Sequence, residues 1–294
     1  GDRLSGGKSF NGPVTISTTL GNFTKIEITG QGSAPIQSDI FTNDGNTATW
    51  TGNASSLNFP NAIAYATQFA VDYCADGCAV IHIAADDYLF VPQDCTAPAD
   101  NTLPVIAQPS GEIYLASSSV MDLFDALGSL DAVTMTSTDI GSWTLPNVQN
   151  AMQRGDLTFI GKYSAPDYEA LTENDCTLAI ENTMISHSPA VKEQIESLGI
   201  PVIVERSSYE QHPLGRMEWI KLYGLLLGKA EEATAYFDEK TAAFQSLALT
   251  DIPQSERKTA AFFSVTANGY VNIRKPGDYI SQMIELAGGR YIFT

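Results

Sequence analysis

Positive charge is scarce in this chain. It carries 16 Lys and Arg against 34 Asp and Glu, a formal net charge of −18 over 294 residues. A nucleic-acid backbone is held by clustered Lys and Arg, so the composition argues against such a partner. The acidity itself serves solubility. Histidine is scarcer still: His82, His187 and His212 are the only three. Carriers of free zinc or manganese gather several His and carboxylates around one ion, and three scattered His offer little for that. No apolar run approaches the ~18–20 residues of a membrane-spanning helix. The chain also lacks a Gly-x-Ser-x-Gly elbow, a Walker loop, a Gly-x-Gly-x-x-Gly turn and a His-Glu-x-x-His helix, so nothing favours an enzyme, such as an α/β hydrolase.

Cysteine is limited to four residues. Cys74-Ala-Asp-Gly-Cys78 places an Asp-Gly turn signal between the apolar runs Phe69–Tyr73 and Ala79–Ile83, so two thiols face each other across a hairpin. A disulfide there would fit an extracytoplasmic protein. The other reading is two half-buried free thiols, and Cys95 and Cys176 have no partner legible in the sequence.

What is present is a globular composition, 44% hydrophobic and 17% charged, with enough length for two domains. The start, Gly1-Asp-Arg-Leu, reads as a mature end from which a targeting segment has been removed. Residues 1–60 are rich in Thr, Ser, Gly and Asn, with alternating runs such as Thr24-Lys-Ile-Glu-Ile-Thr29 between glycine turns, an all-β signature. Their faint likeness to small surface-protein β modules leaves an adhesion module as a further reading. The β pattern continues through 61–110, where Tyr88–Val91 is a strand stopped by Pro92, and Pro98, Pro104 and Pro109 mark a linker.

From Ile113 the pattern becomes strand–helix alternation, which implies a parallel sheet with crossover helices. The expected strands are 113–117, 132–137, 157–161, 176–181 and 201–204. Helices are expected over 120–127, from 167, and from Pro189. Ser119 is expected to cap the first helix. After Val204 comes a polar joint, and a long helix begins at Pro213, breaks near Gly228 and resumes to about Leu247. A polar linker leads to a strand at 259–265 and a helix at 279–287 that Gly288-Gly289 ends.

Leu198-Gly-Ile-Pro-Val-Ile-Val204 followed by Leu225-Leu-Leu-Gly228-Lys-Ala-Glu-Glu-Ala233 resembles the substrate-binding proteins of iron-siderophore and vitamin B12 ABC importers. Three further stretches resemble that family in the same order: Ser117–Val133, Gly161–Leu171 and Ile284-Glu-Leu-Ala-Gly-Gly-Arg-Tyr-Ile-Phe293. The resemblance covers roughly Ile113 to Thr294 and implies a two-lobed α/β fold with parallel sheets joined by a long interlobe helix. The expected division is a β-rich segment at 1–60, a β-rich extension at 61–110, a first lobe at 111–211, the interlobe helix at 212–250 and a second lobe at 251–294. Family members continue well past the Ala-Gly-Gly motif, so that second lobe is expected to be incomplete.

The resemblance implies a non-enzymatic solute-binding protein outside the cytoplasm, on a Gram-positive-type surface through a lipid anchor or in a periplasm. Its partners would be an ABC permease and a ferric siderophore, haem or corrinoid ligand, with no resident cofactor. In such a fold the ligand sits at the carboxyl ends of the strands. Ser117 and Ser118 offer hydroxyls at a helix start, for an anion or for simple capping. Trp143 reads as exposed, to stack on a flat ligand or to pack. Lys162 and Tyr163 offer a cation and a phenol, and Asn182 and Met184 follow the next strand. Arg206 can grip carboxylate or catecholate oxygens or pair with a Glu, and Tyr209 stands beside it. Tyr270 and Arg274 are candidates for the facing wall. His187 and His212 read more readily as structural than as metal ligands, and Arg216 with Glu218 as a scaffold salt bridge.

Overall fold

The computed structural model describes residues 65–74, 77–247 and 252–293, with the backbone of six earlier strands. Those strands are β1 (Asp2–Ser5), β2 (Val14–Ser17), β3 (Phe23–Thr29), β4 (Phe41–Asp44), β5 (Thr47–Ala54) and β6 (Ser56–Phe59). All their pairings are antiparallel: β3-β5-β4 form one sheet, β2 pairs with β6, and β1 joins the next unit through β7.

The hairpin read around Asp-Gly is there: β7 (Phe69–Tyr73) and β8 (Ala79–Ile83) pair antiparallel, with β9 (Asp86–Val91) alongside. The proline-marked linker is a correction. Between Pro104 and Pro109, β10 (Val105–Ala107) pairs parallel with β9 and completes a five-stranded sheet. This extension is not a spacer. One face of it, with Phe69, Val71, Ile81, Tyr88 and Phe90, shares a single core with the α/β sheet and the long helix. The Tyr88 hydroxyl donates to the Val202 carbonyl at 2.6 Å.

The α/β sheet has the order β13-β12-β11-β16-β17, with every pair parallel. Its strands are β11 (Ile113–Leu115), β12 (Val133–Thr136), β13 (Thr158–Phe159), β16 (Leu178–Glu181) and β17 (Val202–Val204). A short hairpin, β14 (Gly161–Lys162) and β15 (Ala165–Pro166), intervenes. Strands buried on both faces read as continuous apolar runs, which is why this sheet was legible. The crossover helices are α1 (Met121–Ala126), α2 (Pro146–Arg154), α3 (Tyr168–Glu173) and α4 (Pro189–Ser197). Asp167 caps α3 by accepting from the Glu169 and Ala170 N–H groups. Ser119 does not cap α1: Ser118–Val120 form a 3-10 turn, and Val120 precedes the helix.

The long helix divides where glycine predicted. α5 (Pro213–Leu226) ends before Gly228, whose φ of +72° turns the chain into α6 (Ala230–Leu247). A Cβ on Gly224 would collide with Ala233, so the two helices approach backbone to backbone there. α5 is itself part of the core. Trp219, Ile220, Leu222, Tyr223, Leu225 and Leu226 are all buried in the first-lobe core. Two carboxylates bind it to the preceding segment. Glu218 accepts from the Tyr65 and Ala66 N–H groups at 2.6 and 2.8 Å and from Lys221 at 2.9 Å. Glu210 accepts from Thr67 and Gln68 N–H and from the Trp219 indole at 3.0 Å. The expected Arg216–Glu218 bridge is therefore replaced by Glu218–Lys221, and Arg216 lies over the Tyr279 ring at 4.3 Å.

A small unit follows. β18 (Thr259–Ala260) pairs parallel with β21 (Arg290–Tyr291), and β19 (Phe263–Val265) pairs antiparallel with β20 (Val271–Ile273). α7 (Tyr279–Leu286) packs against both β21 and α5, which joins this unit to the first lobe.

Candidate functional site

Because β11, β12, β13, β16 and β17 run parallel, the loops that leave their carboxyl ends gather on one edge of the lobe. Side chains knit them into a rim. Ser137 Oγ and Asn182 Nδ2 both donate to the Ala116 carbonyl at 3.3 Å. Asn182 also accepts from the Met184 N–H, which fixes the turn after β16. The buried Glu205 carboxylate accepts from Ser117 Oγ at 3.0 Å, Ser119 Oγ at 3.2 Å and the Ser207 N–H. It thereby ties the loop after β17 to the loop after β11.

That arrangement corrects one expectation. The Ser117 hydroxyl already serves a fixed carboxylate, so it is not an open anion cradle, and Ser117 is 2% exposed. Ser118 faces solvent beside it. Trp143 is the second correction. It is 6% exposed, belongs to the main core, and donates its indole N–H to the Thr138 carbonyl at 3.2 Å, so it offers no stacking face. Lys162 is exposed on the β14–β15 hairpin, while Tyr163 packs half-buried against the second core cluster. Met184 is exposed. His212 Nδ1 accepts from the Leu214 N–H at 3.1 Å and its ring stacks on Tyr65, a helix-capping role. Burial lowers its pKa. Tyr270 and Arg274 lie exposed on the small unit, with Arg274 3.7 Å from Asp278.

Arg206 and Tyr209 meet at one place. The guanidinium lies 4.7 Å from the Tyr209 ring centre, and its Nε is 3.4 Å from Gln68 Oε1. No carboxylate pairs with Arg206 among the described residues. Both side chains line a cavity of about 320 Å³ whose other walls are Ile185, Val204, Lys192 and the β8–β9 turn. Lys192 is already paired with Asp86 at 3.3 Å and Glu196 at 3.6 Å, so among the described residues Arg206 is the cation of this wall with no carboxylate in bridging range. Sequence reading missed the β8–β9 turn as part of this wall and Gln68 as a partner of Arg206, because more than a hundred residues separate them from Arg206.

Glu181 heads the expected joint that carries Asn182 and Met184, but its side chain turns away from the rim. It ends β16 with its side chain fully buried on the face of the second core cluster. Neither carboxyl oxygen completes a hydrogen bond. Burial pushes its pKa up to about 8. The titratable groups that face it, Tyr114 and Tyr168, are themselves raised, first by burial and then by Glu181. Its alternation in register with Ala179 is the sequence signal for that inward direction.

No family model matches the chain. An uncharacterized lipoprotein of Methanocaldococcus jannaschii is 21% identical over 154 residues, 51% of this chain and 37% of that protein. The chain thus spans little more than a third of that relative's length. A periplasmic binding protein from Veillonella parvula superposes with a TM-score of 0.52 at 14% identity, over 76% of this chain and 67% of that one. A periplasmic heme binding protein from Pseudomonas aeruginosa gives a TM-score of 0.50 at 18% identity, over 63% of each chain. The fold is therefore the α/β fold of two-lobed periplasmic binding proteins.

Proposed function

We propose that this chain, folded as periplasmic binding proteins are, is the extracytoplasmic solute-binding component of an ABC importer. It captures an iron complex, haem or a corrinoid at the carboxyl edge of the first lobe, and delivers it to a permease. The observation that carries this reading is the rim itself: five strand-end loops on one edge, with Arg206 beside Tyr209 at an open cavity. A guanidinium held without a bridging carboxylate among the described residues suits carboxylate, propionate or catecholate oxygens, which it can engage bidentately. Ser118, Lys162 and Met184, all exposed, are proposed as further wall residues. Tyr270 and Arg274 are proposed for the facing wall, on the unit that α7 anchors to α5.

The resemblance of the solved haem-binding protein and of the lipoprotein relative supports an extracytoplasmic location, held at a membrane through a lipid anchor. The reading needs no catalysis. Direct capture of a bare metal ion receives less support, since no group of three His, Cys, Asp or Glu is placed to hold one among the described residues. A thermal-shift screen with ferric hydroxamates, ferric catecholates, haem and cobalamin tests the proposal. One class should raise the melting temperature in a concentration-dependent way. Arg206→Ala should then weaken binding of an anionic ligand about tenfold or more, and unchanged affinity would remove Arg206 from the site.

A further inference from the structure

We propose that Cys78 and Cys95 form a disulfide that fastens the loop after β9 onto the β7–β8 turn. Three of the chain's four cysteines gather in one place, far apart from Cys176. Cys78, Leu89 and Val91 form a small buried cluster, and Cys74, Cys95, Ala97 and Leu103 pack around it. It lies on the sheet face opposite the main core, because Tyr88 and Phe90 alternate with Leu89 and Val91 along β9.

Two separate approaches bring the sulfurs of Cys78 and Cys95 into one gap. The Cys78 Sγ lies 4.0 Å from the carbonyl oxygen of Thr96, the residue after Cys95. The Cys95 Sγ in turn sits where a side chain of Gly77 would be: a Cβ built there would be 2.9 Å from that sulfur. Gly77, at φ +91°, is thus the residue that admits Cys95 to the turn, next to Cys78. The turn itself is closed by the Cys74 N–H on the Cys78 carbonyl at 2.8 Å.

The exposures assign the order of chemistry. Cys78 is 1% exposed and cannot meet an oxidant in solution, whereas Cys95 is half-buried. The Cys95 thiolate attacks a low-molecular-weight disulfide, forming a mixed disulfide and releasing one small thiolate. The Cys78 thiolate then attacks the Cys95 sulfur and releases the second. The two protons lost by the protein thiols go to the two small thiols, so one external disulfide is reduced for each protein disulfide made. The inference stands apart from the transport reading.

The test uses the whole chain, reduced, freed of reductant and incubated with oxidised glutathione. Remaining thiols are alkylated in denaturant, and peptides are mapped without reduction. The expected result is a fall from four alkylated cysteines to two, with the Cys78 peptide joined to the Cys95 peptide and Cys74 and Cys176 alkylated. Cys95→Ser should keep its three thiols under the same treatment. Four thiols surviving in the wild type, or a Cys74–Cys78 or Cys74–Cys95 linkage in place of Cys78–Cys95, would overturn the assignment.

Discussion

The buried carboxyl of Glu181 makes stability depend on pH in a direction that can be worked out. Its folded-state pKa is raised from the ordinary 4.5 to about 8, first by burial. The folded protein therefore holds this proton more tightly than the unfolded chain does. The stabilising contribution of the bound proton is fully present below pH 4.5 and is lost as pH rises through 8. A difference of ~3.5 units at 1.36 kcal/mol each amounts to about 5 kcal/mol across that window. Glu181→Gln keeps the shape and removes the titration. Urea denaturation of both proteins, followed by tryptophan fluorescence between pH 4.5 and 9, isolates the effect, because the slopes of the other carboxylates cancel in the difference. The variant should gain on the wild type steadily from pH 5 to pH 8, by several kcal/mol in all, and the gain should level off as pH approaches 9. Parallel stability curves would show that Glu181 is solvated or paired, and would refute the reasoning.

Other perturbations separate scaffold from site. Glu218→Ala leaves Lys221 buried without its carboxylate and should cost about 3–5 kcal/mol in denaturant unfolding, while Lys221→Met with Glu218→Gln together should recover much of that loss. Glu205→Ala removes the acceptor of the buried Ser117 hydroxyl and Ser207 N–H and should cost about 2–3 kcal/mol in the same assay, with increased proteolysis of the 205–209 loop. Trp143→Phe should lower stability by about 1–3 kcal/mol yet leave ligand affinity unchanged, since the indole faces the core; an affinity loss at unchanged stability would return Trp143 to the site.

The α/β lobe was legible because its strands are apolar runs and its helices carry their own stop signals, Gly228 above all. Strand bounds shifted by a residue or two, as hydrogen-bonded ends do. The joint at Glu205–Tyr209 was also legible as a loop at a strand's carboxyl end, since a polar stretch follows a buried apolar strand there. What escaped were relations between distant residues. Pro98, Pro104 and Pro109 spell a linker locally, yet Val105–Ala107 finds β9 and joins a sheet. Trp143 sits in a polar sequence but turns inward, because its N–H finds the Thr138 carbonyl. Ser117 to Ser119 carry the marks of an anion site, and a carboxylate 86 to 88 residues away fills that role. Pattern along the chain shows which residues are buried, and only the tertiary fold shows which polar atoms meet.

The central claim is that the carboxyl edge binds a solute and that Arg206 holds it. Equilibrium dialysis of the purified chain against haem, ferric siderophores and cobalamin, read by absorbance and iron content, tests this most directly. The account predicts saturable one-to-one binding of one class, weakened about tenfold or more by Arg206→Ala and untouched by Trp143→Phe. Flat isotherms across all three classes would contradict it.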